Sequence, residues 1–318
     1  MPDAWLTSAG RTLFRWYLSK FPLRDGKAYF YNCLHAGLAP TDRYAVVRLD
    51  KGFRMKLDLQ DPEQLKVYFY GHYHERYEAD LVARLLEDDD VFWDIGANVG
   101  YFTLVAATAL DNRGQIVAFE PGKNAYARLT ENLSLNPYEN IQTFSVAVSD
   151  REGEAVLHVS GDIADSSASL FLGGDDQAGH EVCRTVALDH FLTAEGLRPP
   201  TLIKLDAEGA ELAVLQGAQG LISQSPPLFL MEMEEKNLKA AGASKAAIRQ
   251  FLEGCGYRAA HLRKGRWYAA ADLDAVKGRN IFWYNPEVAA HSCKAALLPV
   301  IDSSSSVPPP CCRTTVNP

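Results

Sequence analysis

The acids of this chain fall where acids can do chemistry. Residues 91–120 read VFWDIGANVGYFTLVAATALDNRGQIVAFE. An apolar run ends in Asp94, a turn holds Gly96 and Gly100, an apolar helical stretch follows, and a second apolar run ends in Glu120. Strand, glycine-containing turn, helix and strand make one βαβ unit with an acid at each strand's carboxyl end, the place where open α/β sheets bind ligands. Residues 201–211, TLIKLDAEGAE, repeat the pattern: a strand ending in Asp206, then Glu208, Gly209 and Glu211 as a helix begins. Acids in a first helical turn interact favourably with the helix dipole by ~0.3–1 kcal/mol each, which accounts for Glu208 and Glu211 but less well for Asp206. Glu232 sits inside the apolar strand 228–233, and an acid there needs a partner or a function.

The turn after Asp94 narrows the ligand. A dinucleotide loop wants G-x-G-x-x-G, and counting from Gly96 the second and third glycine positions hold Asn98 and Tyr101. A carboxylate at Asp94 repels phosphate and suits a ligand carrying an ammonium and a sulfonium. S-adenosylmethionine carries both and no phosphate. Glu120, at the second strand's end, can accept hydrogen bonds from both ribose hydroxyls of such a ligand. The end of the third strand, from Ala147 to Asp150, should border the adenine.

Methyl transfer to a hydroxyl needs alignment and proton removal. Asp206 is the first candidate base, Glu208 and Glu232 the next, and His74 a further one if the polar segment 71–78 folds over the site. Tyr77 and Glu78 would be the cofactor-facing residues of such a lid. Asp206, Glu208 and Glu232 could alternatively gather around Mg²⁺, which takes oxygen ligands; the metal-free reading is preferred and no metal site is assigned. His72 and His74 lack a third ligand at any recognised spacing, so a solvated or hydrogen-bonded pair is expected.

The elements that must position these residues are legible in outline. Residues 4–20 suit a helix with Arg11, Arg15 and Lys20 beside apolar positions, able to lie on an acidic membrane surface but more often packed on its own domain. Residues 44–49 and 53–59 alternate around Asp50, Lys51 and Gly52 as a hairpin, and Asp61-Pro62 opens a helix reaching Tyr70. Further helices are expected over 79–86, 123–135 and 245–253. Asn132 and Asn136 share one helix face, where amides can tie down loop backbone. Further strands are expected at 141–148, 154–160, 228–233, 256–262, 266–269 and 280–284. The loop 161–179, with Ser166, Ser167 and Ser169, is of the long kind that often meets a substrate. The tail beyond Pro286, with SSSSVPPPCC, lacks periodicity and should be disordered.

Composition sets the outer bounds. A chain of 318 residues that is 47% hydrophobic and 23% charged can bury a full core. The net charge of −8 argues against a nucleic-acid backbone as main partner. No run approaches the roughly 20 apolar residues of a membrane span, and no signal peptide is evident. The six cysteines contain no C-x-x-C, so reduced thiols and a cytoplasmic location are expected.

Taken together, the residues resemble the FkbM family of S-adenosylmethionine-dependent methyltransferases. The likeness rests on DIGANVG at 94–100, AFEP at 118–121, residues 133–136, KLDAEGAE at 204–211 and residues 215–218, and runs from about Tyr44 to Tyr284. Trp93 and Ala207 depart from the family pattern as packing changes. The resemblance implies an α/β class I methyltransferase (Rossmann-like) fold: a seven-stranded, mostly parallel sheet with helices on both faces. To this the present sequence adds an N-terminal helix and β-hairpin. It divides the chain into an accessory region, 1–78, a catalytic domain, 79–285, and the tail, 286–318. It implies O-methylation of a hydroxyl on a sugar, glycolipid or natural product. It also lines the methionine end of the cofactor with Asp94, Gly96, Ala97, Asn98 and Gly100, sets Glu120 at the ribose, and places Tyr77-Glu78 at the family's Tyr-Glu segment. A small-molecule or glycan acceptor is expected, with no nucleic acid. The rival readings are a nucleotide-dependent oxidoreductase or epimerase on a related fold, and a non-catalytic module that keeps the fold to bind a partner.

Overall fold

The computed structural model describes residues 2–21, 26–159, 168–169, 179–263, 266–270, 272–276 and 278–290. Two helices open the chain, α1 (Pro2–Lys20) and α2 (Lys27–Leu38), followed by the hairpin β1 (Tyr44–Arg48) and β2 (Arg54–Asp58). Asp61 caps α3 (Pro62–Tyr70), its carboxylate accepting from the amides of Glu63 and Gln64, with Pro62 filling the first turn where no amide partner is needed. Then come α4 (Arg76–Leu85), β3 (Val91–Ile95), α5 (Tyr101–Leu110), β4 (Gln115–Phe119), α6 (Lys123–Ser134) and β5 (Ile141–Phe144). A second group holds β6 (Ala147–Ser149), β7 (Gly153–Val159), β8 (Ala168–Ser169) and β9 (Gly179–Ala187). The chain continues through α7 (Leu188–Ala194), β10 (Leu202–Leu205), α8 (Glu211–Gln216), α9 (Gln219–Gln224), β11 (Leu228–Glu232), α10 (Glu235–Ala240) and α11 (Lys245–Gly254). It closes with β12 (Arg258–Arg263), β13 (Arg266–Ala269), β14 (Asn280–Tyr284) and α12 (Pro286–Ala290).

Among the described residues the main sheet has eight strands in the order β13-β12-β14-β11-β10-β3-β4-β5. The five from β11 to β5 are parallel, and β14 runs against β11 and β12. The expected seven-stranded core is present, and β13 extends it as a hairpin on β12. The expected third strand, 141–148, is divided: β5 stays in the main sheet while β6 pairs with β9 in a separate four-stranded sheet. Ser166 and Ser167 of the 161–179 loop, and residues 291–318, lie outside the described residues. The start of the tail expected to be disordered is instead the helix α12, opened by Asn285 Oδ1 accepting from Glu287 N at 3.0 Å. Ser169 belongs to β8, paired on β7.

Strand periodicity sorts the side chains onto two faces. Trp93, Val117, Ile203, Phe229 and Trp283 pack into one apolar cluster with α7 to α11. On the other face Phe92, Leu202, Leu230 and Phe282 share a cluster with Phe14 and Leu18 of α1, Tyr31 of α2 and Phe69 of α3. The N-terminal helices therefore roof the second face of the sheet. Under that roof α5 is apolar all round and buried nearly throughout, as its position between sheet and α4 demands. Helices α2, α7, α9 and α10 are absent from the sequence reading: α2 turns Tyr29, Phe30 and Leu34 outward, which blurs an amphipathic pattern, and the other three are only six or seven residues long.

Asn132, 1% exposed, ties three segments together: its amide donates to Val99 O at 2.8 Å and its carbonyl accepts from Lys56 N at 2.8 Å. Asn136 holds the same hairpin through both directions of bonding with Arg54. Asn132→Ala leaves both backbone groups unpaired and should destabilise the protein by about 1–3 kcal/mol in denaturant titration; Asn136→Ala, at an exposed site, should cost less.

Candidate functional site

Period-two alternation that buries Phe92, Leu202 and Leu230 on the roofed face also sends Asp94, Lys204, Glu232 and Asn280 to that face, at the ends where the parallel strands finish. Register makes them neighbours: Asp94 is opposite Lys204, and Glu232 opposite Asn280. Asp94 is 2% exposed, and its carboxylate accepts from Thr103 Oγ1 at 2.5 Å. Burial pushes its pKa up to about 6, with Thr103 and Lys204 pulling the other way and Asp206 adding to the rise.

Lys204 is a fully buried lysine among acids. Its Nζ donates to Asp206 Oδ2 at 3.2 Å and lies 5.2 Å from the centre of the Phe102 ring. Burial alone would discharge it; Asp206, Glu75, Glu232 and Asp94 together reverse that and hold it protonated. Glu232 takes the opposite correction. Burial first, then the Asp206 charge and a hydrogen bond with Asp206, push its carboxyl up to about 9, against the pull of Lys204. Arg279 reaches Glu232 only at 3.5 Å from the exposed side. Of this closely coupled pair, Glu232 is the member that burial and the neighbouring carboxylate push toward the protonated form.

Two lobes of a cleft meet at the loop after β3. One is walled by Tyr73, Glu75, Asp94, Phe102 and Lys204, the other by Glu120, Val146, Ala147, Leu157 and Glu208; Gly96, Asn98 and Asp206 face both. The loop is bent by left-handed residues at Gly96 (φ 79°), Asn98 (φ 47°) and Gly100 (φ 90°). At Gly96 a Cβ would stand 1.8 Å from the carbonyl oxygen of Asp206, so only glycine lets the two acid-bearing strand ends approach. Glu120, 5% exposed, fixes the loop by accepting from Asn98 N and Gly122 N, each at 2.8 Å. One bond per oxygen leaves each able to accept another. Burial raises Glu120 to about 7, the two backbone bonds opposing and Asp94 and Asp206 adding. Asn98 Oδ1 is buried without a hydrogen-bond partner, as are the hydroxyls of Tyr73 and Tyr101. Such orphaned polar atoms around a cleft await a ligand's donors and acceptors.

Of the residues singled out from sequence, Asp94, Gly96, Ala97, Asn98, Glu120, Ala147, Asp206 and Glu208 border the cleft. Gly100 caps α5, its absent side chain leaving room for Leu129. Glu208 accepts from Asn237 Nδ2. Glu211 accepts from Ala207 N and Gly209 N, each at 3.1 Å, so its carboxylate folds the turn rather than facing the cleft. Tyr77, 36% exposed, and half-buried Glu78 stand in α4, while Tyr73 and Glu75 of the same stretch supply the wall. His74 opens onto a different cavity, between α2 and α3. Asp150 is held by Ser149 and Arg151. Among the described residues no group of three His, Cys, Asp or Glu side chains is arranged to hold a metal ion.

Sequence reasoning missed Lys204, Glu75 and Asn280, the last of which donates to Glu75 Oε1 at 3.0 Å. Lys204 had a readable signal, a charge inside an apolar strand two residues before Asp206, the same anomaly that marks Glu232. Glu75 and Asn280 lie 205 residues apart and meet only through the fold.

Residues 94–259 match the methyltransferase FkbM domain family. Over 164 residues the chain is 30% identical to the hexuronic acid methyltransferase AglP of Haloferax volcanii, spanning 50% of this chain and 63% of that protein. Over 158 residues it is 28% identical to the 2-O-methyltransferase NoeI of Sinorhizobium fredii, spanning 46% and 64%. The chain thus covers less than two thirds of either relative. The crystal structure of methyltransferase FkbM from Methylobacillus flagellatus aligns over 63% of this chain and 45% of that one, at 17% identity and a TM-score of 0.41.

Two measurements follow from the geometry. Gly96→Ala adds a backbone collision to the ~1–2 kcal/mol of left-handed strain, and should lower thermal stability more than Gly242→Ala, where nothing stands within 4 Å. The second concerns pH. A carboxyl raised from 4.5 to about 9 on folding contributes stability that is full below pH 4.5 and is lost as pH climbs through 9. Glu232→Gln, already neutral, should flatten that loss when unfolding is followed from acid to alkaline pH.

Proposed function

From the premise that this chain belongs to the FkbM methyltransferase family, we propose that it transfers a methyl group from S-adenosylmethionine to a hydroxyl of a sugar or glycan. The observation that carries the reading is the excess of carboxylates in the cleft: Asp94, Glu120 and Asp206 line it, with buried Lys204 in the wall of one lobe. That field suits a cationic nucleoside and opposes a phosphorylated one. The residues fit the cofactor. Asp94 and the orphaned Asn98 Oδ1 can take donors of its amino acid end, the free lone pairs of Glu120 can take ribose hydroxyls, and Ala147 with Val148 and Leu157 offers an apolar wall for the base. Bound there, the cofactor supplies an electrophilic methyl group on a positively charged sulfur.

The chain's own part is alignment and proton removal. Asp206 faces both lobes and is the general base for the acceptor hydroxyl. Lys204 holds the Asp206 carboxylate in place through its ion pair; Glu232, pushed toward its protonated form, hydrogen-bonds the same group and steadies its orientation. Tyr73 and Glu75 present polar groups beside this centre for the acceptor's other hydroxyls. The names of the relatives support the substrate class, one a hexuronic acid methyltransferase and the other a 2-O-methyltransferase. Catalysis is assigned without a metal, with Lys204 as the cation of the acid cluster.

Asp206→Asn should lower turnover by about 10²–10⁴-fold, the usual worth of a general base, while leaving cofactor affinity within a few-fold. Labelled methyl transfer to a panel of sugars, with and without chelator, is the test; an unchanged rate removes Asp206 from the mechanism. Cofactor affinity should depend on pH. A cation favours ionised partners, so Asp94 and Glu120, raised to about 6 and about 7, must give up protons on binding in mildly acidic solution. Calorimetric titration should therefore show affinity falling as pH drops from 8 to 5, with proton release measurable in buffers of different ionisation heat.

A further inference from the structure

Helices α1 and α2 bury one side each, and residues 8–20 of α1 and all of α2 carry no acid. On α1, Phe14 and Leu18 face the core while Thr12, Leu13, Trp16 and Lys20 recur at three- and four-residue spacing on the outside. On α2 only Tyr31 is buried; Tyr29, Phe30, Cys33 and Leu34 are exposed. Leu13 and Tyr29 are 66% and 69% accessible, and Trp16 is 53%. The rings form one connected group: Trp16 to Phe21 at 5.9 Å, Phe21 to Tyr17 at 5.4 Å, Tyr17 to Phe30 at 5.7 Å, and Phe30 to Tyr29 at 5.8 Å. A solvent-facing helix ordinarily carries charged residues outward. A contiguous apolar patch of this kind marks a surface that meets something.

Charge decides what it meets. Across residues 8–41, Arg11, Arg15, Lys20, Arg24 and Lys27 stand against the single acid Asp25, in a chain whose net charge is −8. Three of these cations are fixed by backbone carbonyls: Arg11 Nε donates to Leu38 O at 2.7 Å, Arg15 Nε to Tyr68 O at 2.9 Å and Lys27 Nζ to Leu18 O at 2.7 Å. These three are half-buried, and Lys20 is exposed.

We propose that the outer faces of α1 and α2 dock on an anionic lipid bilayer. Leu13, Trp16, Tyr29, Phe30 and Leu34 enter the headgroup region, where tryptophan and tyrosine are favoured; exposed Lys20 meets lipid phosphate, and the tethered Arg11, Arg15 and Lys27 add positive field. Apolar insertion and charge act as the two signals that stable peripheral attachment needs. The acidic remainder of the chain is repelled by the same surface, which fixes the docking face. No helix among the described residues is long and apolar enough to cross a membrane, so the attachment is to the surface. The inference stands apart from the methyl-transfer reading, since it uses none of the cleft.

The test is co-sedimentation of the full chain with vesicles of phosphatidylcholine alone and of an equal mixture with phosphatidylglycerol. The chain should pellet with the mixed vesicles, less so as salt rises, and weakly with the neutral ones. Leu13→Ser combined with Trp16→Ser should weaken the association roughly tenfold with an unchanged melting temperature, and Lys20→Glu should reduce it on anionic vesicles only. Absence of pelleting with either vesicle, or equal pelleting of the double variant, overturns the proposal. So does sedimentation velocity showing lipid-free dimers that the double variant dissolves, because the patch would then be a contact between copies of this chain.

Discussion

A lysine ammonium sealed inside a protein is tolerable only if nearby negative charge outweighs the lost hydration. Lys204 meets that condition through Asp206 in direct contact, with Glu75, Glu232 and Asp94 adding to the field. Burial raises Glu232, Asp94 and Glu120 above ordinary carboxylates, and the neighbouring charge of Asp206 adds to each rise. The result is a cavity with more negative charge than it can comfortably ionise. A cationic ligand relieves that imbalance, which links binding energy to the same groups that position the chemistry.

The architecture makes the imbalance possible. Parallel strands deliver Asp94, Lys204 and Glu232 to one face at one end of the sheet, and the helices α1 to α4 seal that face with apolar side chains. Gly96 then permits backbone contact between the loop after β3 and Asp206. Glu120 accepts one loop amide on each carboxylate oxygen, leaving each able to accept another. Asn132, out of sight of the cleft, fixes the loop's far side at Val99 and the hairpin at Lys56. The fold thus places rigid backbone under flexible chemistry.

Much of this was legible from residue types because strand ends and turns have local signatures. Asp94, Gly96, Asn98, Glu120 and Asp206 were found by asking where open sheets bind ligands, and the parallel core with its helices followed from alternation and glycine placement. What escaped was non-local. Glu75 and Asn280 acquire a role only through contact across the whole chain. Lys204 was visible as a charge in an apolar strand, yet it was read as part of a motif rather than as a buried cation. The division of 141–148 between two sheets is set by pairing with β9, some forty residues further on, which no local pattern announces. Helix α2 was missed for the converse reason, an outer face too apolar to look like one.

Parallel calorimetric titration with S-adenosylmethionine and with NAD asks most directly whether the acid-rich cleft selects a phosphate-free, positively charged nucleoside. The account requires saturable one-to-one binding of the first and none of the second, with Asp94→Asn and Glu120→Gln each weakening the binding. Binding of NAD in preference, or affinity for S-adenosylmethionine indifferent to both substitutions, would contradict it.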